Sequence, residues 1–291
     1  MIERQYHYLV SGLPNISPED KKPWATNVSF RKYLEEHLDP DDFTQVRYIF
    51  LKEDHQNIIS FLSSGKVTEG AGNFTIDDFR DYDQVAGDPV TMANSMPPYM
   101  VDVLDNYCTG EKILSPTEIN QALAEGYYHF IMENGCSFLK TFNEFDYNLN
   151  NLLAFVKAGD RQMDQKKYIA GDSPLAVHLQ NNAGKTLVKD PDFEQFDEII
   201  SNAGTASFAE EERKNDLLRW RVIEELTLFE DFTIDRVLGY LLQLLIIERW
   251  SKLEKEEGEL TLRKIIDQAW QEAFEGTGIT SSSMKHGLVK K

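Results

Sequence analysis

The sequence predicts an all-α, mostly helical fold made of three similar units. Three observations predict it: apolar residues recur at three- and four-residue steps, helix-capping residues precede these stretches, and one residue pattern returns about every 90 positions. Of the 291 residues, 41% are hydrophobic and 27% are charged, which is typical of a globular protein with a substantial core.

Several helix starts can be recognised from their caps. Asp39 followed by Pro40 predicts one, since aspartate caps helices and proline fits their first turn. SPTE at 115–118 is a capping box that predicts a second helix ending near Gly135, and SFAE at 207–210 predicts a third. A final helix is predicted from the spacing of Leu262, Ile265, Ile266, Ala269, Trp270 and Phe274.

The most apolar segment, from Phe232 to Leu253, predicts a buried core helix. Its uncharged part, from Val237 to Ile247, is about half as long as the ~20 apolar residues that a membrane-spanning helix needs. Apolar residues occupy nearly every side of this helix, which is typical of a helix buried on several faces. We expect Leu241 and Leu245, which lie four residues apart, to be fully buried.

Arg249 follows this apolar run and precedes Trp250. An arginine stem can cover apolar surface while its guanidinium bonds a carboxylate. We therefore expect a structural ion pair between Arg249 and Glu225 or Glu248.

One nine-residue pattern occurs three times. Each copy has Asp, Asn or Thr first, Asn or Arg three residues later, then two aliphatic residues, a small residue and an aromatic. We expect the first residue to cap a helix, the aliphatic and aromatic residues to be buried, and the small residue to permit close approach of a neighbouring segment. The copies are DHQNIISFL from Asp54, NLNNLLAFV from Asn148 and TIDRVLGYL from Thr233, with Asn57, Asn151 and Arg236 at the fourth position.

These copies predict the division of the chain. The first helical unit covers residues 1–114, the second 115–205 and the third 206–275, with a flexible tail at 276–291. The first unit includes a long irregular connection at 63–114, which is rich in Gly, Pro, Ser and Asp and has little periodicity. Only a short helix around Ile76–Phe79 is expected there, and loops of this length are usually functional, disordered or lids.

The N-terminal sequence YHYLV at 6–10 is compatible with a short strand or a helix start. We expect Tyr6, Tyr8 and Leu9 to anchor the start of the chain in the core. No basic region followed by an apolar run is present, so no signal peptide is predicted.

The net charge of −19 restricts the partners that the protein could bind. An acidic surface repels phosphate backbones and anionic headgroups, so nucleic-acid binding and direct docking on lipid are disfavoured. A basic protein partner is compatible with this charge, as is a merely well-solvated surface. Cys108 and Cys136, the only cysteines, have no metal or redox spacing, which favours a reducing, cytoplasmic compartment.

No catalytic, cofactor-binding or metal-binding motif is found, so the sequence assigns no site residue and no cofactor. AGKT at 183–186 ends like a phosphate-binding loop, but Leu179 stands where that loop requires glycine. No two histidines lie three or four residues apart, so no helical metal pair forms. The acidic stretches at 39–42 and 77–83 lack the spacing of a calcium loop. A site assembled from distant carboxylates is the enzymatic alternative that remains.

The N-terminal YHYLVSGLP and the stretch at 211–259 together resemble a formally uncharacterised bacterial family, often found in Bacteroidetes, whose genes lie among those of a V/A-type ATPase. That family is thought to replace the C subunit of the ATPase, which is named d in eukaryotes. YLLQLLIIERW is similar to the C-subunit pattern of an apolar Tyr-Leu-Leu helix that runs into an acidic residue and an arginine. The C subunit folds as three similar helical domains that form a funnel, in agreement with the repeat.

The resemblance implies a non-catalytic subunit that joins the central rotor stalk to the membrane ring of proteolipid subunits. The protein would then be cytoplasmic and peripheral on the inner face of the cell membrane. A concavity where the three units meet would receive the foot of the stalk, with electrostatic steering if its rim carries part of the negative charge. The alternatives are a transient regulatory or assembly factor of the ATPase, and an unrelated enzyme that uses distant acidic residues.

Overall fold

The computed structural model describes residues 4–68, 70, 72–82, 95–109, 115–204 and 207–253. These residues form helices and connections with no strand among them, which confirms the predicted all-α class. None of the described helices is long and apolar enough to cross a membrane. The helices are α1 (His7–Ser11), α2 (Asn27–His37), α3 (Pro40–Ser64), α4 (Ile76–Arg80), α5 (Pro98–Thr109), α6 (Pro116–Asn134), α7 (Ser137–Asp160), α8 (Pro174–Asn182), α9 (Phe196–Ala203), α10 (Phe208–Leu226) and α11 (residues 234–253), with a short 3-10 helix at Gln165–Tyr168.

The predicted helix starts of α3, α6 and α10 are confirmed. The Asp39 side chain caps α3, and a proline occupies the first turn. Ser115 and Glu118 form a reciprocal capping box at α6. Ser207 accepts from the Glu210 backbone N–H at α10, which is one half of the predicted box. The predicted final helix and the tail lie outside the described residues.

The expectation of an irregular connection at 63–114 is wrong for a large part of that segment. Helix α4 occurs where the sequence predicts it, but the 12-residue helix α5 also forms there. Met100 and Leu104 of α5 are completely buried, because their four-residue spacing places both on the face that packs against α6. A proline in the first turn starts this helix, although proline is also typical of loops.

The N-terminal YHYLV sequence is part of a helix, α1, and not a strand. Leu9 is buried and the partly buried Tyr6 hydroxyl donates to Asp42, as an anchoring role requires. Tyr8, in contrast, is 97% exposed, so its predicted place in the core is wrong. In a single helical turn only one side can face the protein, and Leu9 occupies that side.

The asparagines at the fourth position of the first two repeat copies make the same pair of hydrogen bonds. Asn57 accepts from the Thr68 backbone N–H at 2.9 Å and donates to the Thr68 carbonyl at 3.5 Å. Asn151 accepts from the Ala170 N–H at 2.9 Å and donates to the Ala170 carbonyl at 3.0 Å. Each asparagine thus binds the backbone of the segment that follows its own long helix: Asn57 of α3 binds Thr68, and Asn151 of α7 binds Ala170.

The first positions of these two copies also act alike, although not as helix caps. Asp54 accepts from the backbone N–H groups of Asn73 and Phe74, just before α4. Asn148 accepts from the hydroxyl of Ser173, the residue that caps α8. Both Asp54 and Asn148 lie buried within long helices, so the prediction that they cap helices is wrong.

The third copy keeps the packing of the pattern but not its hydrogen bonds. Arg236 donates to the Thr227 hydroxyl at 3.3 Å instead of holding a returning segment. The small residue Gly239 behaves as predicted, because a Cβ there would lie 2.7 Å from Thr227 Cγ2 and 3.1 Å from Ile223 Cγ2. The shared contacts therefore support a repeat for the first two copies, and the division into three units stays a prediction.

Candidate functional site

A cavity of about 510 Å³ lies between α3, α7, α10 and α11. Its apolar wall includes Leu242, Leu245 and Ile246 from α11. Its polar wall includes Lys52 from α3 and Asp146 from α7. A volume of this size is within the usual range of roughly 300–1,000 Å³ for ligand pockets. We call it the central cavity.

The apolar wall exists because α11 is apolar on more than one side. Leu241 and Leu244 are completely buried in the core, and the prediction for Leu241 is confirmed. Leu245 is only partly buried, so the prediction that it is fully buried is wrong. Leu242, Leu245 and Ile246 are partly buried against the core and also line the cavity.

The buried carboxylate of Asp146 is shared between two cations. Lys52 donates to its Oδ2 at 2.5 Å, and Arg219 Nε donates to its Oδ1 at 2.7 Å. Lys52 and Asp146 each lie two residues before the first position of their repeat copies, so this ion pair joins equivalent positions of the first two copies. One carboxylate therefore connects α3, α7 and α10.

The charges continue from Arg219 towards α11. Arg219 Nη1 donates to Asp216 Oδ1 at 3.0 Å, and Nη2 donates to Asn150 at 3.1 Å. The other oxygen of Asp216 accepts from Arg249 and, at 2.8 Å, from the indole N–H of Trp250. A line of alternating charges thus crosses four helices, and we call it the central ion-pair chain. Its members are Lys52, Asp146, Arg219, Asp216 and Arg249.

The predicted ion pair of Arg249 exists, but its predicted partners are wrong. Arg249 pairs with Asp216 and with Glu212 at 3.6 Å. Glu248 instead accepts from the Asn27 backbone N–H at 2.7 Å, at the start of α2. The position of Glu248 next to Arg249 in the sequence places its side chain on another side of α11, about 100° away.

The pKa values of two members of the ion-pair chain, Asp146 and Arg219, keep both groups charged near neutral pH. Burial alone would raise the pKa of Asp146, but Lys52 and Arg219 outweigh burial and hold that pKa below its ordinary value. Burial alone would lower the pKa of Arg219, but Asp146 and Asp216 hold it above its ordinary value. A general acid or base works best with a pKa near the operating pH. These groups are therefore suited to structural pairing and not to proton transfer.

A second cavity of about 500 Å³ lies between α3, α6 and α7, and Lys52 and Asp146 line it as well. Within it, burial and then Lys52 lower the pKa of His55 to about 3, so this imidazole is neutral. Its Nε2 lies 2.8 Å from the Tyr99 hydroxyl. Among the described residues, no group of three or more His, Cys, Asp and Glu side chains is arranged to hold a metal ion.

The acidic and phosphate-loop-like motifs of the sequence do not contribute to either cavity. The AGKT stretch forms an exposed turn after α8, where Lys185 Nζ donates to the Asn181 carbonyl. The acidic stretch at 39–42 caps and starts α3. Sequence reasoning missed the cavity residues, although one signal was visible: Asp146 interrupts an apolar face of its helix that carries Leu139, Phe142, Leu149 and Leu153.

The described charged residues that line the central cavity are balanced in sign. Lys52, Arg219, Arg249 and Lys252 are basic, and Glu53, Asp146, Asp216 and Glu248 are acidic. Electrostatic steering was expected only if the rim of the concavity carries part of the negative charge, and these lining residues carry no net charge. The net charge of −19 resides elsewhere on the chain.

Comparison with known proteins identifies one family. A family model with the description "Protein of unknown function (DUF2764)" matches residues 3–273. No curated protein and no solved structure matches the chain.

Proposed function

The chain belongs to the DUF2764 family, and we propose that it is a non-catalytic subunit of a V/A-type ATPase that couples the central rotor stalk to the membrane proteolipid ring. In this proposal it is held on the cytoplasmic face of the membrane by the complex. The observation that carries the proposal is the central cavity, which opens where helices of the three predicted units meet. The resemblance to the C subunit supplies the identity of the partner.

The size of the cavity is compatible with the end of a partner helix. One turn of an α-helix, about 5.4 Å long and 10–12 Å wide with its side chains, fills roughly 400–600 Å³. The central cavity holds about 510 Å³. It can therefore receive about one helical turn, with apolar side chains of the partner against Leu245 and Ile246.

The central ion-pair chain supports a mechanical role. It connects α3, α7, α10 and α11 through two buried carboxylates, since the Asp146 side chain is only 8% exposed and that of Asp216 only 2%. Removing one partner of a buried ion pair typically costs about 3–5 kcal/mol. Helices connected in this way can move as one body, as transmission of torque requires.

Purification of the ATPase from its native source tests the proposal against its nearest alternative. A coupling subunit should be recovered in a fixed ratio to the stalk subunits, before and during turnover. Substoichiometric recovery, or loss during turnover, would instead favour a transient regulatory or assembly factor. Absence from the intact complex would exclude the coupling role.

A substitution in the cavity tests the site itself. Ile246→Trp adds a large side chain to the apolar wall, and we expect it to abolish binding to purified stalk subunits while the melting temperature changes little. The matched control is Val188→Trp, at a residue that is 54% exposed and lies outside the cavity. Equal binding by the two variants would show that the stalk does not enter the cavity.

A further inference from the structure

One charged residue of the central cavity differs from the others. Seven of the eight described charged residues in the lining form salt bridges: Lys52, Asp146, Asp216, Arg219, Glu248, Arg249 and Lys252. Glu53 has no hydrogen bond and no salt bridge with any residue that the structure describes. Glu53 is therefore the unpaired carboxylate of the described lining, whose total charge is balanced.

The surroundings of Glu53 are partly dehydrated. Its side chain comes from α3, is half-buried, and lines both the central cavity and an adjoining cavity of about 500 Å³ next to the start of α2. Burial raises the pKa of Glu53, nearby Lys252 acts in the opposite direction, and Glu248 adds to the rise. An unpaired carboxylate in such a place costs free energy, and a bound cation would remove that cost.

We propose that the central cavity binds an organic cation with an apolar stem, such as an arginine or lysine side chain, with Glu53 as its counter-ion. Leu242, Leu245 and Ile246 line the same cavity and accommodate the stem. In identifying the cation as a side chain of the rotor stalk, this inference rests on the proposed function. The existence of the cation site does not depend on the proposed function.

The charges of the described lining favour a cation over an anion. Each basic side chain already has a carboxylate partner, so an anion would have to displace one. A cation, in contrast, finds Glu53 available. Charge-assisted hydrogen bonds of this kind are stronger than neutral ones, and the planar guanidinium can form two of them with one carboxylate.

A pair of small probes tests the site on the isolated protein. n-Butylguanidinium has the required charge and stem, whereas n-butylurea has a similar shape and no charge. We expect saturable changes in the methyl NMR signals of Leu245 and Ile246 with the guanidinium, and binding of the urea that is about tenfold weaker. Equal binding of the two probes would overturn the proposal.

Three variants test whether Glu53 is the counter-ion of the bound cation. Glu53→Gln should weaken butylguanidinium binding about tenfold, whereas Glu36→Gln, at an exposed residue of α2, should leave it unchanged. Lys252→Gln should strengthen binding, because it removes a positive charge that acts on Glu53 and releases Glu248 from its salt bridge. Unchanged binding in folded Glu53→Gln, or weaker binding in Lys252→Gln, would contradict the assignment.

The source of the cation is tested with purified stalk subunits. Loss of stalk affinity in Glu53→Gln would identify the cation as a stalk side chain. Normal stalk affinity in a variant that no longer binds butylguanidinium would overturn the stalk assignment and leave a site for a free organic cation. Failure of the wild-type protein to bind the stalk would overturn the coupling role, a result that the probe experiment does not depend on.

Discussion

At the scale of single residues, Asp146 is central because its buried carboxylate is shared by Lys52 and Arg219. We predict that Asp146→Asn lowers the free energy of unfolding by about 3–5 kcal/mol, since Lys52 loses its carboxylate partner and the largely buried Arg219 keeps only that of Asp216. Asp77→Asn, in an exposed pair with Arg80, should cost less than about 1 kcal/mol. Denaturant unfolding of both variants measures the difference. Equal losses of unfolding free energy in the two variants would show that the central ion-pair chain contributes little to stability.

The same carboxylate predicts a dependence of stability on pH. The pKa of Asp146 is lower in the folded protein than its ordinary value of about 4, because Lys52 and Arg219 outweigh the effect of burial. A group with a lowered folded pKa binds fewer protons when folded, so its stabilisation is complete above about pH 4 and is lost as the pH falls further. Melting temperatures below about pH 4 should therefore fall more steeply for the wild-type protein than for Asp146→Asn. Parallel curves would contradict this assignment.

At the scale of elements, the two sides of α11 should differ in their sensitivity to truncation. Leu241 is completely buried in the core, whereas Leu245 lines the central cavity. We predict that Leu241→Ala costs about 2–5 kcal/mol and that Leu245→Ala costs clearly less, because part of the Leu245 side chain already lacks packing partners. Thermal melting and denaturant unfolding measure both costs. A larger cost for Leu245→Ala would mean that this side of α11 is covered.

The contacts of the repeat copies predict how three further substitutions rank by the unfolding free energy that each one costs. Asn151→Ala leaves the buried backbone N–H and carbonyl of Ala170 without partners, and each such group costs about 1–3 kcal/mol. Asn57→Ala should cost less, because its bond to the Thr68 carbonyl is long, at 3.5 Å. Arg236→Ala should cost least, since it removes a single 3.3 Å bond to Thr227. The reverse order in denaturant unfolding would show that hydrogen bonding does not distinguish the copies.

At the scale of the whole molecule, the charges predict how a basic stalk partner would associate. The chain carries −19 overall, but the described lining of the central cavity is balanced. We predict that the association rate falls between about 50 and 300 mM salt, because long-range attraction is screened, whereas the dissociation rate changes less. Kinetic binding measurements with purified stalk subunits check both rates. An association rate that does not depend on salt would reject electrostatic steering. Shape complementarity and apolar contacts would then account for the binding of this protein to the stalk.

The sequence by itself determined the helices that have clear start signals, such as α3 and α6, because these signals are local. Asp39 before Pro40 and the capping box at Ser115 act within one helical turn, so their effect does not depend on the rest of the fold. The equivalence of Asn57 and Asn151 is also visible as a pattern in the sequence. Helix α5 escapes sequence-based prediction because the proline that starts it is equally typical of a loop.

Only the tertiary structure decided which faces and charges meet. Both sides of α11 are apolar, so periodicity could not show that Leu244 enters the core while Leu245 lines a cavity. The ion pairs of Asp146 join residues 94 and 73 positions apart, and no local rule links residues so distant. The partner of a buried charge and the place of a cavity depend on how whole helices pack, because both are properties of the space between elements and not of any single element.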